Sequence, residues 1–231
     1  MTKRLLLLSS SRVHGGGYLD HAEPEIREFL KDVRHVLFVP YALKDRDGYA
    51  AVARQRFQAL GFQLDSIHEL EKPRNAVAAA EAVFVGGGNT FRLLKTLYEL
   101  DLISWLRARA VEGMPYIGAS AGSNLAGPTI RTSNDMPIVQ PPSFEALGLV
   151  PFQINPHYFD ADPASTHMGE TREQRLREYL EENDLPVVAI REPSMIRVEG
   201  DIMTLEGTAG ARVFRRGQEP YEIQPGSMIE L

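Results

Sequence analysis

Pro115-Tyr116-Ile117-Gly118-Ala119-Ser120-Ala121-Gly122-Ser123-Asn124-Leu125 is the stretch that decides how this chain is read. A short apolar run ends in Gly-x-Ser-x-Gly and passes into small residues that a helix accepts. A strand turning sharply into a helix leaves a serine exposed at its tip, the pattern of a nucleophile elbow. The serine backbone in such a turn is strained. The residues two before and two after it sit where a Cβ would clash, which suits Gly118 and Gly122. The helix that follows points free N–H groups at the serine, where they can stabilise negative charge. A tight strand–helix turn without chemistry has the same local pattern, so other parts of the chain must discriminate.

A second glycine cluster does so. Ala82-Val83-Phe84-Val85 reads as a buried strand and ends in Gly86-Gly87-Gly88-Asn89-Thr90; Phe91–Leu97 then has helical apolar spacing. Both turns lie at the carboxyl edge of a parallel sheet, where ligands bind. Free N–H groups at Gly87 and Gly88 can supply one half of an oxyanion hole and the N–H of Ala121 the other. A phosphate or dinucleotide loop competes, but the segment lacks Gly-x-Gly-x-x-Gly and Gly-Lys-Ser/Thr.

Outward from these turns, the first half alternates strands with helices. Strands are expected at Leu5–Leu8, Val36–Val39, Phe62–Ile67, Val83–Val85 and Tyr116–Ile117. Helices are expected at about Leu19–Asp32, Tyr49–Leu60 and Asn75–Ala80, with a pair between Thr90 and Val111. The alternation predicts a mostly parallel α/β sheet with helices on both faces. Residues 128–170 hold prolines at 128, 137, 141, 142, 151, 156 and 163 and few regular elements. A loop-rich stretch of this length is usually functional. Thr171-Arg172-Glu173-Gln174 is a capping box opening a helix to about Glu182, and Pro186–Ile190 is a strand. Short β-rich runs after Ser194 suggest antiparallel strands at one sheet edge.

The composition fits 231 residues of a globular chain, 43% hydrophobic and 24% charged, without a linker or repeat; one domain over 1–231 is expected. A net charge of −6 without a basic cluster argues against nucleic acid. No membrane span is expected, and Leu5–Leu8 is too short for a signal core. Cysteine is absent, which rules out thiolate catalysis and disulfides within the chain and is compatible with a reducing cytoplasm.

A serine nucleophile needs a base, and the base needs an orienting acid. Of the six histidines, His157 follows Phe152-Gln153-Ile154-Asn155-Pro156, a strand-like segment ended by proline, which places it in a loop at a strand end. The acid is open among Asp135, Glu192, Asp160, Asp162 and Glu170. Placement after the Pro186–Ile190 strand favours Glu192, because strand ends in one parallel sheet converge. A metal reading would draw on His157, His167, Asp160, Asp162 and Glu170, without a strong ligand spacing.

Six motifs then occur in order: Val85–Thr90, Gly118–Gly122, Pro128–Thr132, Asn134–Pro137, Asn155–His157 and Gly169–Arg175. Together they resemble peptidase E, the aspartyl dipeptidase family of serine peptidases with a class I glutamine-amidotransferase-like fold. The resemblance spans the chain and is densest from Val83 to Arg175. It implies cytoplasmic hydrolysis of dipeptides with N-terminal aspartate, without metal or cofactor, by a monomer or homodimer. It maps Ser120 as nucleophile, His157 as base, Glu192 as acid, and Gly88 and Ala121 as oxyanion hole. Arg172 would bind the substrate carboxylate, with Asp135 and Asn89 as further substrate contacts. Arg191-Glu192-Pro193 departs from the family's Pro-Glu-Gly, which leaves Asp135 as the fallback acid. A cyanophycinase-like β-aspartyl peptidase and a non-catalytic binding protein of the same fold are the alternatives.

Overall fold

The computed structural model describes residues 2–164, 166 and 168–231. Its main sheet has seven strands in the order β3-β2-β4-β5-β1-β8-β9. β1 (Arg4–Leu8), β2 (His35–Val39), β3 (Gln63–Ser66), β4 (Ala82–Val85) and β5 (Tyr116–Ala119) are parallel. β8 (Met195–Glu199) and β9 (Ile202–Glu206) close the β1 edge antiparallel. A four-stranded sheet, ordered β11-β10-β7-β6, joins β6 (Gln153–Tyr158), β7 (Val187–Arg191), β10 (Ala211–Phe214) and β11 (Tyr221–Ile223).

The uninterrupted apolar runs are strands covered on both faces. Leu5 and Leu7 face one core cluster while Leu6 and Leu8 face another; Val83 and Val85 divide from Ala82 and Phe84 in the same way. Helices supply the cover: α1 (Glu23–Phe29), α2 (Arg46–Ala59), α3 (Pro73–Ala79), α4 (Thr90–Glu99), α5 (Ile103–Val111) and α6 (Ala121–Ala126). α7 (Arg172–Glu182) carries the expected capping box, Thr171 Oγ1 accepting from the Gln174 N–H at 3.1 Å.

Several boundaries differ from the sequence expectation. The helix expected over 19–32 is a 3-10 turn at Asp20–Ala22 followed by the shorter α1, because Pro24 fits only the first turn of an α-helix. α2 begins before Tyr49 because the Asp45 carboxylate accepts the Gly48 N–H at 2.9 Å and caps it. The tail strands do not share one edge: β8 and β9 extend the main sheet, while β10 and β11 pair outward from β7. β6 does not stop at Pro156. It continues to Tyr158 through a register shift between Asn155 and Tyr158, where a proline costs no ladder hydrogen bond.

Candidate active site

The elbow is built as its glycines require. Ser120 has φ 52° and ψ −106°, a sparsely populated backbone state. A Cβ on Gly118 would lie 2.5 Å from the Gly122 carbonyl oxygen, and one on Gly122 would lie 2.1 Å from the Val85 oxygen. Bare backbone is therefore needed where α6 crosses β4 and β5. Tyr116 Oη donates to the Gly122 oxygen at 2.7 Å, fastening the turn from below. The second hydroxyl of the motif, Ser123, is fully buried, and its single O–H is shared between the Leu8 and Gly118 carbonyl oxygens at 2.6 and 2.8 Å. It is committed to holding α6 on the sheet.

His157 reaches the serine from the other sheet. Its Nε2 lies 2.7 Å from Ser120 Oγ, and its Nδ1 bonds Glu192 Oε1. A carboxylate at Nδ1 fixes that nitrogen as the donor and leaves Nε2 to accept the serine proton. The position of His157 differs from the expected loop: it sits inside β6 at the bulge, with φ 56°. That twist re-aims the ring out of the strand's normal alternation and toward Ser120. Glu192 follows β7 directly, and Tyr158 is paired with Arg191 across the parallel β6–β7 ladder, so the two side chains share one edge. The convergence is thus between the carboxyl ends of two sheets, not of strands within one.

Ser9 joins those sheets and was missed in the sequence. Its fully buried hydroxyl accepts the His157 N–H at 2.9 Å and donates to the Ile190 oxygen at 2.8 Å, while its own N–H reaches the Ser194 oxygen at 3.0 Å. One hydroxyl at the end of β1 thus fixes the strands that carry base and acid. The only signal was a polar residue immediately after a buried strand.

On the opposite side of Ser120 lies the glycine loop. A Cβ on Gly87 would sit 3.1 Å from Ser120 Cβ, and Gly88 has φ 134° with Ala42 oxygen 2.8 Å from its Cβ position. A side chain does not fit at Gly88, and one at Gly87 would press on Ser120 and the Ala119 oxygen. Ala121 opens α6, so its N–H has no intrahelical acceptor. Gly88 N–H donates to no protein acceptor among the described residues.

Asp135 is placed away from the histidine. Its Oδ2 accepts from Thr90 N–H at 2.8 Å, Thr90 Oγ1 at 2.5 Å and Ser133 Oγ at 3.2 Å, at the N-terminus of α4. Glu192, not Asp135, therefore holds Nδ1. Asn89 caps α4, accepting from Arg92 N–H at 3.0 Å, and donates to the Met136 oxygen at 2.8 Å; both ends of its amide are engaged in positioning the 135–136 loop.

Arg172 opens α7 and is half-buried, its guanidinium 5.3 Å over the Phe159 ring. It has no ion-pair partner among the described residues, and its buried Nε has no hydrogen-bond acceptor. Burial lowers its pKa, Arg175 adds repulsion, and Asp135 opposes both. The neighbouring Glu173 bonds Arg177 and Arg212 instead. A cleft of about 390 Å³ opens in front of it, its charged lining formed by Arg172 and Arg175 together with Asp160, Asp162 and Glu170. The residues of the metal reading are otherwise occupied: Asp160 pairs with Arg191, Asp162 accepts from Ala164 N–H, and Glu170 faces Arg175 at 3.6 Å. His167 lies outside the described residues. No helix among the described residues is long and apolar enough to cross a membrane.

The chain has known relatives. The family profile described as Peptidase family S51 matches residues 5–206. The chain belongs to peptidase family S51. Peptidase E of Streptomyces coelicolor is 56% identical over 223 residues, covering 96% of this chain and 92% of that one. A Drosophila melanogaster protein named "Probable alpha-aspartyl dipeptidase" is 47% identical, covering 96% and 94%. The crystal structure of a peptidase from an acI-B1 actinobacterium superposes with a TM-score of 0.74 at 18% identity, covering 100% of this S51 peptidase and 98% of its counterpart.

Proposed function

We propose that this S51 peptidase hydrolyses dipeptides with an N-terminal aspartate through an aspartyl-enzyme. The observation carrying the proposal is the unbroken hydrogen-bond chain Ser120–His157–Glu192 on a strained elbow, with the unpaired Arg172 near Asp135. In this reading His157 Nε2 takes the Ser120 proton as Oγ attacks the aspartyl carbonyl carbon. The N–H groups of Gly88 and Ala121 hold the oxyanion, and Glu192 stabilises the imidazolium. The C–N bond then breaks and His157 returns its proton to the leaving amine. Water, deprotonated by His157, cleaves the acyl ester and releases aspartate.

Arg172 and the α7 N-terminus take the aspartyl side-chain carboxylate, a planar fork combined with free helix N–H groups. Asp135 faces the substrate ammonium through its Oδ1, and Asn89 supports it by holding the 135–136 loop. The proposal includes one domain, supported by a core cluster running from β1 through β6 and β7 to β11. It also includes a cytoplasmic setting, action as a monomer or homodimer, and no cofactor.

The test pairs two measurements. Purified protein is assayed on Asp-Leu, with a β-aspartyl-arginine dipeptide in parallel, and labelled with a fluorophosphonate before peptide mapping. Release of Asp and Leu with the label on Ser120 is expected. Cleavage of the β-aspartyl substrate alone would move the enzyme to the cyanophycinase class, and no label on Ser120 would remove the serine-peptidase mechanism.

A further inference from the structure

A second cleft opens against the oxyanion loop, apart from the one before Arg172. It measures about 530 Å³ and is lined by Arg12, Tyr18, Leu43, Tyr49 and Val52, with Gly87 and Gly88 as its inner wall. That wall touches the nucleophile, since a Cβ on Gly87 would lie 3.1 Å from Ser120 Cβ. An occupant of the cleft therefore lies against the loop that borders Ser120. Its walls are largely apolar and aromatic: Tyr18 and Tyr49 meet edge to face, with centroids 6.2 Å apart.

One cation stands in this lining. The Arg12 guanidinium lies 5.8 Å over the Tyr18 ring and has no ion-pair partner among the described residues. The carboxylate in the wall, Asp45, is turned to the α2 N-terminus by the Gly48 N–H at 2.9 Å. An unpaired arginine held over an aromatic ring at the mouth of an apolar cleft suits a ligand with a hydrophobic body and an anionic end. The leaving residue of a dipeptide has that form, an apolar side chain beside a terminal carboxylate.

We infer that this cleft is the leaving-residue subsite, and that Arg12 receives the terminal carboxylate of the dipeptide while Tyr18, Leu43 and Val52 take its side chain. The inference rests on the dipeptidase reading and extends it: Arg172 and Arg12 stand in separate clefts, one for each charged end of a substrate of two residues. A longer peptide places a neutral amide where Arg12 meets a carboxylate.

The experiment measures kcat/KM of wild type and Arg12→Gln for Asp-Leu and for Asp-leucinamide, which lacks only the terminal charge. The wild type should prefer the free acid, and the acid-to-amide ratio should fall about tenfold in Arg12→Gln, with partial recovery in Arg12→Lys. The ratio is internal to each variant, so a general loss of folded protein leaves it unmoved. An equal ratio in wild type and Arg12→Gln, or a wild type indifferent to the amide, overturns the subsite and leaves the dipeptidase reading standing. Hydrolysis of neither compound by the wild type removes both.

Discussion

At the scale of single residues, the proposed mechanism assigns some groups to react and others to hold charge. Ser120→Ala should fold normally and lose activity on the order of 10⁴-fold or more, because triad members act as a unit. Ser123 cannot substitute, its hydroxyl being spent on two buried carbonyls. A tenth of wild-type turnover remaining on Asp-Leu would exclude Ser120 as nucleophile. Glu192→Gln should depress kcat strongly and KM little, since the carboxylate orients His157 and stabilises its charge in the transition state. A KM effect alone would assign Glu192 to substrate binding. Arg172→Ala should cost roughly 2–5 kcal/mol in kcat/KM for Asp-Leu, the usual cost of leaving a buried charge unpaired. Ala-Leu, cleaved poorly by both proteins, should show little further loss. Unchanged Asp-Leu hydrolysis would transfer the anion site to another arginine. The motifs singled out Ser120, His157 and Arg172 as candidates because each lies in a short local pattern. Ser9 was not legible, because its partners are His157 and Ile190, far along the chain.

At the scale of elements, the elbow is a packing problem before it is a chemical one. α6 is only six residues long and lies against β4, β5 and β6. Its close approach is possible because Gly122 has no Cβ, which would otherwise lie 2.1 Å from the Val85 oxygen. Backbone cannot yield as a flexible side chain can. Gly122→Ala should therefore destabilise by about 1–3 kcal/mol, the usual cost of overpacking. At about 2–4 °C per kcal/mol for a chain of this size, the loss is visible in a melting curve. Activity should fall further than stability, because the displaced α6 carries the Ala121 N–H. A Gly122→Ala protein with wild-type Tm would show that the helix has room to move. The β6 bulge teaches the converse lesson. Proline at 156 suggested the end of a strand, yet the strand continues and uses the irregularity to turn His157.

At the scale of the whole molecule, the 160–222 region is tied by ion pairs. Arg191 grips Asp160 through two bonds of 2.8 Å and Glu222 through bonds of 2.8 and 2.9 Å, while Arg212 reaches Glu173 at 2.6 Å. Hydrogen bonds from Arg191 hold the Asp160 carboxyl below its ordinary value, against a smaller desolvation. A pKa lowered by folding gives stability that is present above the unfolded value and lost as pH falls through the folded one. Asp160→Asn should therefore lower the denaturant midpoint at pH 6 and have less effect near pH 3. An equal offset at both pH values would show that the ion pair contributes nothing to folding. Arg191 is also one of the two positions, with Pro193, at which this segment differs from the Pro-Glu-Gly that the resemblance leads one to expect. Here it makes the last β7 position an anchor for the loop bearing Phe159, beneath Arg172.

What the sequence determined by itself was local. Apolar runs of four residues specify strands buried on both faces, glycines at 118 and 122 specify an elbow, and Thr171 with Gln174 specifies a helix start. Each depends on residues within a few positions of one another. Only the tertiary structure decided that the strands divide into two sheets. It alone chose Glu192 over Asp135 for His157 Nδ1 and placed Ser9 between them. It also left Arg172 and Arg12 without acidic partners among the described residues. Those outcomes depend on pairing between segments distant in sequence, which composition and periodicity do not encode, and on how far each charge is removed from water.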